Sequence, residues 1–235
     1  MKRFFLLAAI CCATLVQAQT ADEIIQKYTA SMGGLDGYNT IKTAKFTGSL
    51  SQSGLVLPVT TQIVNNKAMR LDIEIMGTQI ISVYNNGKGW KQNQFDGFET
   101  PTEMTAAELA DTKPQASLAS ELMDYKARGH KVELQGKENV EGVECYKITL
   151  VSAGNNKTTT YFLDTATYTL IKSVTPRVMQ DQSVEVETFY SDLKEFGGVK
   201  FAMNRIQKIM GQMFMELKLD KVELGVTIDP SLFEM

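Results

Sequence analysis

Histidine, cysteine and closely spaced carboxylates could carry out chemistry in this 235-residue chain, and they are few. His130 is the one histidine, so any serine or cysteine nucleophile with an imidazole base would have to use it. It follows Gly129 and opens a strand-like run. One reading is a catalytic base; the other is a loop histidine, exposed or favoured by the negative end of a helix. The surroundings favour the second, because no Gly-x-Ser-x-Gly turn and no glycine-rich phosphate loop is present. His130 and Cys145 stand at the starts of different strands and give no zinc site. Asp72 with Glu74, and Glu185 with Glu187, are spaced to share one face of a strand, as a carboxylate hydrolase would need. Val184 and Val186 fill the opposite face of the second pair, so a wet outer strand face accounts for the charges. The chain is therefore read as no enzyme, with no cofactor and no metal.

Apolar chemistry is better represented. Of twelve methionines, Met203, Met210, Met213 and Met215 fall in one late hairpin beside Phe201 and Phe214. Methionine is flexible and polarisable, so it lines surfaces that accept varied apolar shapes, and it also fills gaps in ordinary cores. Met213, Met215, Leu217 and Leu219 form one alternating apolar row, which suits a pocket wall or a core equally.

The elements that would position this row are mostly strands. Lys67 to Met76 alternates Met69, Leu71, Ile73 and Ile75 with Arg70, Asp72 and Glu74, the pattern of an antiparallel sheet with one dry face. Similar runs joined by tight turns, such as Asn85-Asn86-Gly87-Lys88-Gly89, give about eleven strands. Pro58 places the 55–64 strand near an edge or at a bulge. No alternation of strands with helices occurs, so a parallel sheet is excluded. So many strands in a meander must curl or close. A helix from Ala21 carries Ile24, Ile25, Tyr28 and Met32 on one face and ends at Gly33-Gly34, with 35–40 as linker. The 101–128 insert reads as two short helices, one after Thr105 and one carrying Leu118, Leu122, Met123 and Tyr125. Too short to stand alone, they lie on the sheet, as a lid over its concave face or as the cap of a filled core.

Residues 1–18 have the form of a secretory signal peptide: Lys2-Arg3, thirteen apolar residues from Phe4, then Val16-Gln17-Ala18. Ile10 before Cys11 departs from the small residue that a lipid-modified cysteine wants. Cleavage leaves 217 residues, read as one domain from 19 to 235, with a formal charge of −5 once Lys2 and Arg3 are gone. An acidic chain argues against nucleic acid and against a polybasic membrane patch. No transmembrane anchor is expected. Cys145 alone remains, so no internal disulfide can form, and it is expected as a small buried hydrophobe.

Ile81-Ser82-Val83-Tyr84, then Asn86-Gly87-Lys88 and Trp90, resembles the outer-membrane lipoprotein-sorting carriers, the LolA-like family. The Lys67 to Glu74 strand with Arg70, the opening helix with Gly33-Gly34 and the mid-chain helical insert are also similar. So are Tyr161-Phe162-Leu163-Asp164 and Leu170-Ile171. Gly197-Gly198-Val199-Lys200-Phe201 looks like the divergent branch found in Bacteroidetes exported proteins. The resemblance spans nearly the whole chain after residue 18. It implies a mainly β fold: a curved antiparallel sheet forming an incomplete barrel, with an N-terminal helix and a mid-chain helical lid (insert 101–128). It also implies a monomeric periplasmic carrier of lipid or lipoprotein acyl chains, with an envelope protein as a further partner. The expected cavity wall is Leu57, Val59, Leu71, Ile73, Ile81, Met213, Met215 and Leu217, with Leu118, Leu122 and Met123 on the lid. Strict alternation points Arg70 away from that wall. The competing reading is a non-catalytic envelope interaction module with a filled core. Asp164-Thr165-Ala166 resembles a short O-glycan acceptor motif of Bacteroidetes exported proteins and reads equally as a turn.

Overall fold

The computed structural model describes residues 19–179 and 182–235. The signal-peptide reading, with Cys11 and Cys12, lies outside the described residues. The chain opens with α1 (Ala21–Ser31), whose Thr20 and Glu23 cap each other's backbone amides. The 35–40 stretch, expected as a linker, is a second helix, α2 (Leu35–Thr40). Tyr38 explains it: its ring is buried edge-on against Phe201, and its hydroxyl donates to the Lys200 carbonyl. Gly33 has a φ of +103°, and a Cβ there would stand 2.2 Å from the Gly198 carbonyl oxygen. A glycine is therefore required where α1 meets the sheet.

Thirteen strands follow in one antiparallel sheet. They are β1 (Thr43–Gln52), β2 (Leu55–Val64), β3 (Ala68–Ile75), β4 (Thr78–Asn85), β5 (Lys88–Asn93) and β6 (Phe98–Glu103), then, after the insert, β7 (Lys131–Val140), β8 (Val143–Val151), β9 (Thr158–Asp164), β10 (Leu170–Met179), β11 (Gln182–Phe196), β12 (Val199–Ile209) and β13 (Gln212–Leu224). Their order is β6-β5-β4-β3-β2-β1-β13-β12-β11-β10-β9-β8-β7, so β1 pairs with the last strand and β6 and β7 are open edges. The sheet is an incomplete barrel. Met69 on β3 and Ile148 on β8 lie eight strands apart, about 38 Å on a flat sheet, yet they belong to one buried cluster. Only a curled sheet brings them together.

Two expectations need correction. The strand count exceeds eleven chiefly because β6, with Pro101 and little alternation, is an exposed edge strand that pairs only with β5. Pro58 does not place β2 at an edge of the sheet, because β2 lies between β1 and β3. Pairing with β3 begins only at Val59, so Pro58 sits where β2 has one neighbour and its missing amide hydrogen costs nothing.

The two faces differ. The outer face carries two small apolar clusters. In one, Ile81, Val83, Trp90 and Phe233 pack together, with the Arg70 guanidinium 5.7 Å from the Trp90 ring centre. Arg70 donates to both Asp72 carboxylate oxygens at 2.7–2.9 Å and to the Leu232 carbonyl at 2.9 Å, which fastens the C-terminal turn. Arg70 thus points away from the concave face, as alternation required. In the other cluster, Cys145 is fully buried beside Val140 and Phe162, and burial pushes its thiol pKa up to about 11. The inner face carries the main core, together with α1, α2 and the insert.

Candidate ligand-binding face

Strand register fixes which side chains share the concave face. Ile63 stands opposite Met69 and Met69 opposite Tyr84, which places all three under the helices. Farther along the same strands, Val59 stands opposite Ile73, and Leu57 opposite Leu50. Leu50 in turn faces Leu217 on β13. These residues, with Leu71 and Met215, form one apolar tract. Val59 is buried, and Leu57, Leu71, Ile73, Met215 and Leu217 are half-buried. Met213 departs from the expected wall: an irregularity between Gln207 and Lys208 pairs it with Lys208, whose Nζ lies 4.3 Å from the Phe189 ring on the outer face, so Met213 turns outward and is exposed. Ile81 corrects the expected wall. It pairs with Asp72, whereas Leu71 pairs with Ser82 and Ile73 with Ile80, so its side chain joins the outer cluster. The sequence reading had carried the apolar face of β3 onto β4 one residue out of register.

The insert begins with helix α3 (Ala106–Thr112), capped by Thr105 and Glu108. It packs on Gly89, where a Cβ would come within 3.0 Å of Met104 and Leu109. The expected second helix is absent. After the single 3₁₀ turn Lys113–Ala116, residues 117–130 run as successive turns, and the amide of His130 reaches back to the Tyr125 carbonyl. Pro114 stops α3, and the remaining segment follows the sheet surface instead of the helix axis. Its apolar residues are nevertheless inward: Leu122 is 0 % exposed, Ala119, Met123 and Tyr125 are buried, and Leu118 is half-buried. All five pack with α1 and the sheet. The insert therefore fills one half of the trough, and the half lined by Leu57, Ile73 and Met215 is left open. An open cleft of about 280 Å³ continues that half under α3, lined by Ile80, Lys91, Phe98, Met104 and Thr112. A larger hollow of about 520 Å³ lies on the solvent side of α1, among Gln19, Glu23, Gln26, Lys27 and Ala30, away from the concave face.

Polar groups border the tract. On β12 the alternation Val199, Phe201, Met203 carries Arg205 and Gln207 onto the inner face, opposite Leu217 and Met215. Arg205 forms no ion pair among the described residues, and its Nε, like Gln207 Oε1, is buried without a hydrogen-bond partner. Beside it, the Tyr190 hydroxyl and Ser173 Oγ are 3.0 Å apart. Burial raises the Tyr38 phenol to about 12 and that of Tyr28 further, while the Arg205 charge opposes both shifts. Arg205 was legible in principle: its position two residues after Met203 marks it as inward.

His130 is neither exposed nor placed for catalysis. Its Nδ1 accepts from the Ala153 amide at 3.1 Å, which leaves Nε2 to donate to Glu121 at 3.2 Å. It ties the foot of the insert to the β8–β9 turn. At the other side, the Asp22 carboxylate accepts from Lys126 Nζ at 2.6 Å and from the Tyr125 hydroxyl, joining α1 to the insert. The Lys126 hydrogen bond, then that of Tyr125, lowers the Asp22 pKa below 3.8. A depressed carboxylate stabilises above its unfolded pKa, and the contribution is lost as pH falls through the folded value. Asp22→Asn is therefore expected to speed hydrogen exchange of the 122–130 amides at pH 7. The parent loses the same protection only below pH 3.8. Equal exchange in the two proteins at pH 7 would remove the tether.

Asp164 closes the β9–β10 turn through the Ala166 amide and the Thr167 hydroxyl, both at 2.8 Å.

Three solved structures share this architecture. A DUF1329 family protein from Desulfovibrio piger superposes with a TM-score of 0.61 at 13 % identity, over 92 % of this chain and 98 % of that one. A LolA superfamily protein from Nitrosomonas europaea gives 0.61 at 10 % identity, over 92 % and 98 %. The chain has the LolA-like fold. An outer-membrane lipoprotein-sorting protein domain from Vibrio parahaemolyticus agrees, with a TM-score of 0.60 at 10 % identity over 92 % and 96 %. No family model and no curated protein matches the sequence. The LolA-like fold confirms the curved, incomplete barrel expected from the sequence. Among the described residues no helix is long and apolar enough to cross a membrane, and no three metal-ligating side chains gather.

Proposed function

We propose that this protein is a non-enzymatic, monomeric periplasmic carrier that holds the acyl chains of a lipid or lipoprotein along the open half of its concave face and helps to traffic them to the outer membrane. The observation that carries the reading is the continuous tract Leu57, Val59, Leu71, Ile73, Met215 and Leu217, which no helix covers completely. Each methylene moved from water onto such a surface gains about 0.8 kcal/mol. Met215 can adapt to chains of different shape. Arg205 and Gln207 offer a buried donor and acceptor to the carbonyl or anionic head of an amphiphile. The cleft under α3 lies at the lower bound of ligand sites, about 300 Å³, so loading widens it by moving α3 outward. The LolA superfamily and lipoprotein-sorting names of the structural neighbours support the same role.

A second reading has an observation of its own. The insert fills half of the trough with buried side chains, as an envelope interaction module with a solid core would. Native mass spectrometry of the mature protein, with organic extraction of bound material, separates the two. A mass excess that extracts as lipid or acylated peptide is expected. A clean apo mass, with no uptake of added fatty acid or lipoprotein, would favour the interaction module.

A further inference from the structure

We infer that the hairpin tips at the open end of the sheet form a membrane-contact rim that seats the protein on the surface of a lipid bilayer. In an antiparallel meander alternate hairpins share one end. Six hairpins share the end where the uncovered half of the trough opens; one of them, β8–β9, is tied by Ala153 to His130 at the foot of the insert and carries no exposed large apolar side chain. The other five are β1–β2, β3–β4, β5–β6, β10–β11 and β12–β13. Each presents an exposed apolar side chain, namely Val56, Met76, Phe95, Val178 and Met210 in turn. Leu55 and Met213 flank the first and the last. Met76 and Met210 are 92 % exposed. Among the described residues these are all the exposed large apolar side chains apart from Met235. Singly exposed apolar residues are ordinary and scatter over a surface. Here the turns at the opposite end of the sheet carry none, and bear Lys67, Lys88, Glu141 and Asp164 instead.

The chemistry of the tips favours lipid over a protein partner. Neighbouring tips are separated by two strand spacings, about 10 Å, so they do not merge into the contiguous patch that a protein interface uses. A fluid apolar phase accepts separated side chains. Residues 51–56, 75–79 and 209–213 contain no charged side chain, so sinking these three tips among headgroups desolvates only neutral groups, whereas Asp96 on the β5–β6 tip and Arg177 on the β10–β11 hairpin stay at headgroup level. Residues 176–179 of β10 and 182–185 of β11 pair only with each other, beyond the last pairs with β9 and β12. The rim lacks a basic patch and the chain is acidic, so the attraction is apolar and not ionic.

The rim does not depend on the cargo reading, and its test does not read cargo. The mature full-length protein is mixed with sucrose-loaded phosphatidylcholine vesicles and sedimented at low and high salt. The parent is expected to partition equally at both salts. Met76→Ser/Val178→Ser/Met210→Ser, which removes three exposed side chains with no core contacts, should lower the partition coefficient tenfold or more. The triple variant should keep the parent's circular dichroism and melting temperature. Three results would overturn the rim: a parent that stays in the supernatant at lipid excess, a triple variant that partitions like the parent, or binding confined to anionic phosphatidylglycerol vesicles and abolished by salt.

Discussion

Leu122→Asp is expected to unfold the protein at neutral pH. Leu122 is 0 % exposed and lies among Ile24, Tyr28, Ile148 and Leu163 in the main core. Loss of the leucine alone costs about 2–5 kcal/mol. A carboxylate at the same place loses its hydration inside the core and adds several kcal/mol more. The sum approaches the whole stability of a domain, about 5–15 kcal/mol. The added carboxyl is driven toward its neutral form in the folded state, so its folded pKa lies above the unfolded value of about 3.9. The folded state then binds more protons, and the deficit shrinks as pH falls from 7 toward 4. Met76→Asp is the matched control: at 92 % exposure it should leave the melting temperature nearly unchanged. Thermal unfolding of both variants decides what the insert is. Comparable melting temperatures would make the 117–130 segment a loosely held lid, against its packing in the structure.

That outcome bears on how the sequence was read. The inward set Leu118, Leu122, Met123 and Tyr125 was legible from spacing, because any chain that keeps those four against one surface buries them. The backbone path was not legible, since successive turns can present the same side chains as a helix. Alternation found the dry face of β3 and the outward Arg70, but it could not give the register between strands. A one-residue offset moves a side chain to the opposite face, and Ile81 was misplaced in that way. β6 stayed hidden because an exposed edge strand needs no apolar alternation. The shape of the trough came from the curl of the sheet and from how far the insert extends, both long-range properties. Arg205 obeys the same alternation: two residues after Met203, it falls on the inner face by the strand period, although charged strand residues more often face water.

The open half of the trough supplies the sharpest test of what the protein carries. Ile73 on β3 and Met215 on β13 are half-buried on the inner face, outside the main core, with β2 and β1 between them. They stand three strand spacings apart across the sheet, and Met215 lies four residues farther along it than Ile73, about 19 Å in all, so a long acyl chain lying obliquely over the tract touches both. Ile73→Asp/Met215→Asp places a hydrated carboxylate at each contact. Each denies the chain a dry seat for two or three methylenes, about 2 kcal/mol at roughly 0.8 kcal/mol apiece. Together they should weaken lipid retention about 100-fold or more. Both sites already contact solvent, so the loss of stability stays near 1 kcal/mol each, a few degrees in melting temperature. Lipid retained by parent and double variant, measured by extraction and native mass, is compared with their unfolding curves. Retention should collapse while the fold persists, the reverse of the Met76→Asp control only in its ligand readout. Unchanged retention would remove the tract as the cargo site. A melting transition lost as completely as in Leu122→Asp would show that this half of the trough is core as well, and that the concave face has no room for an acyl chain.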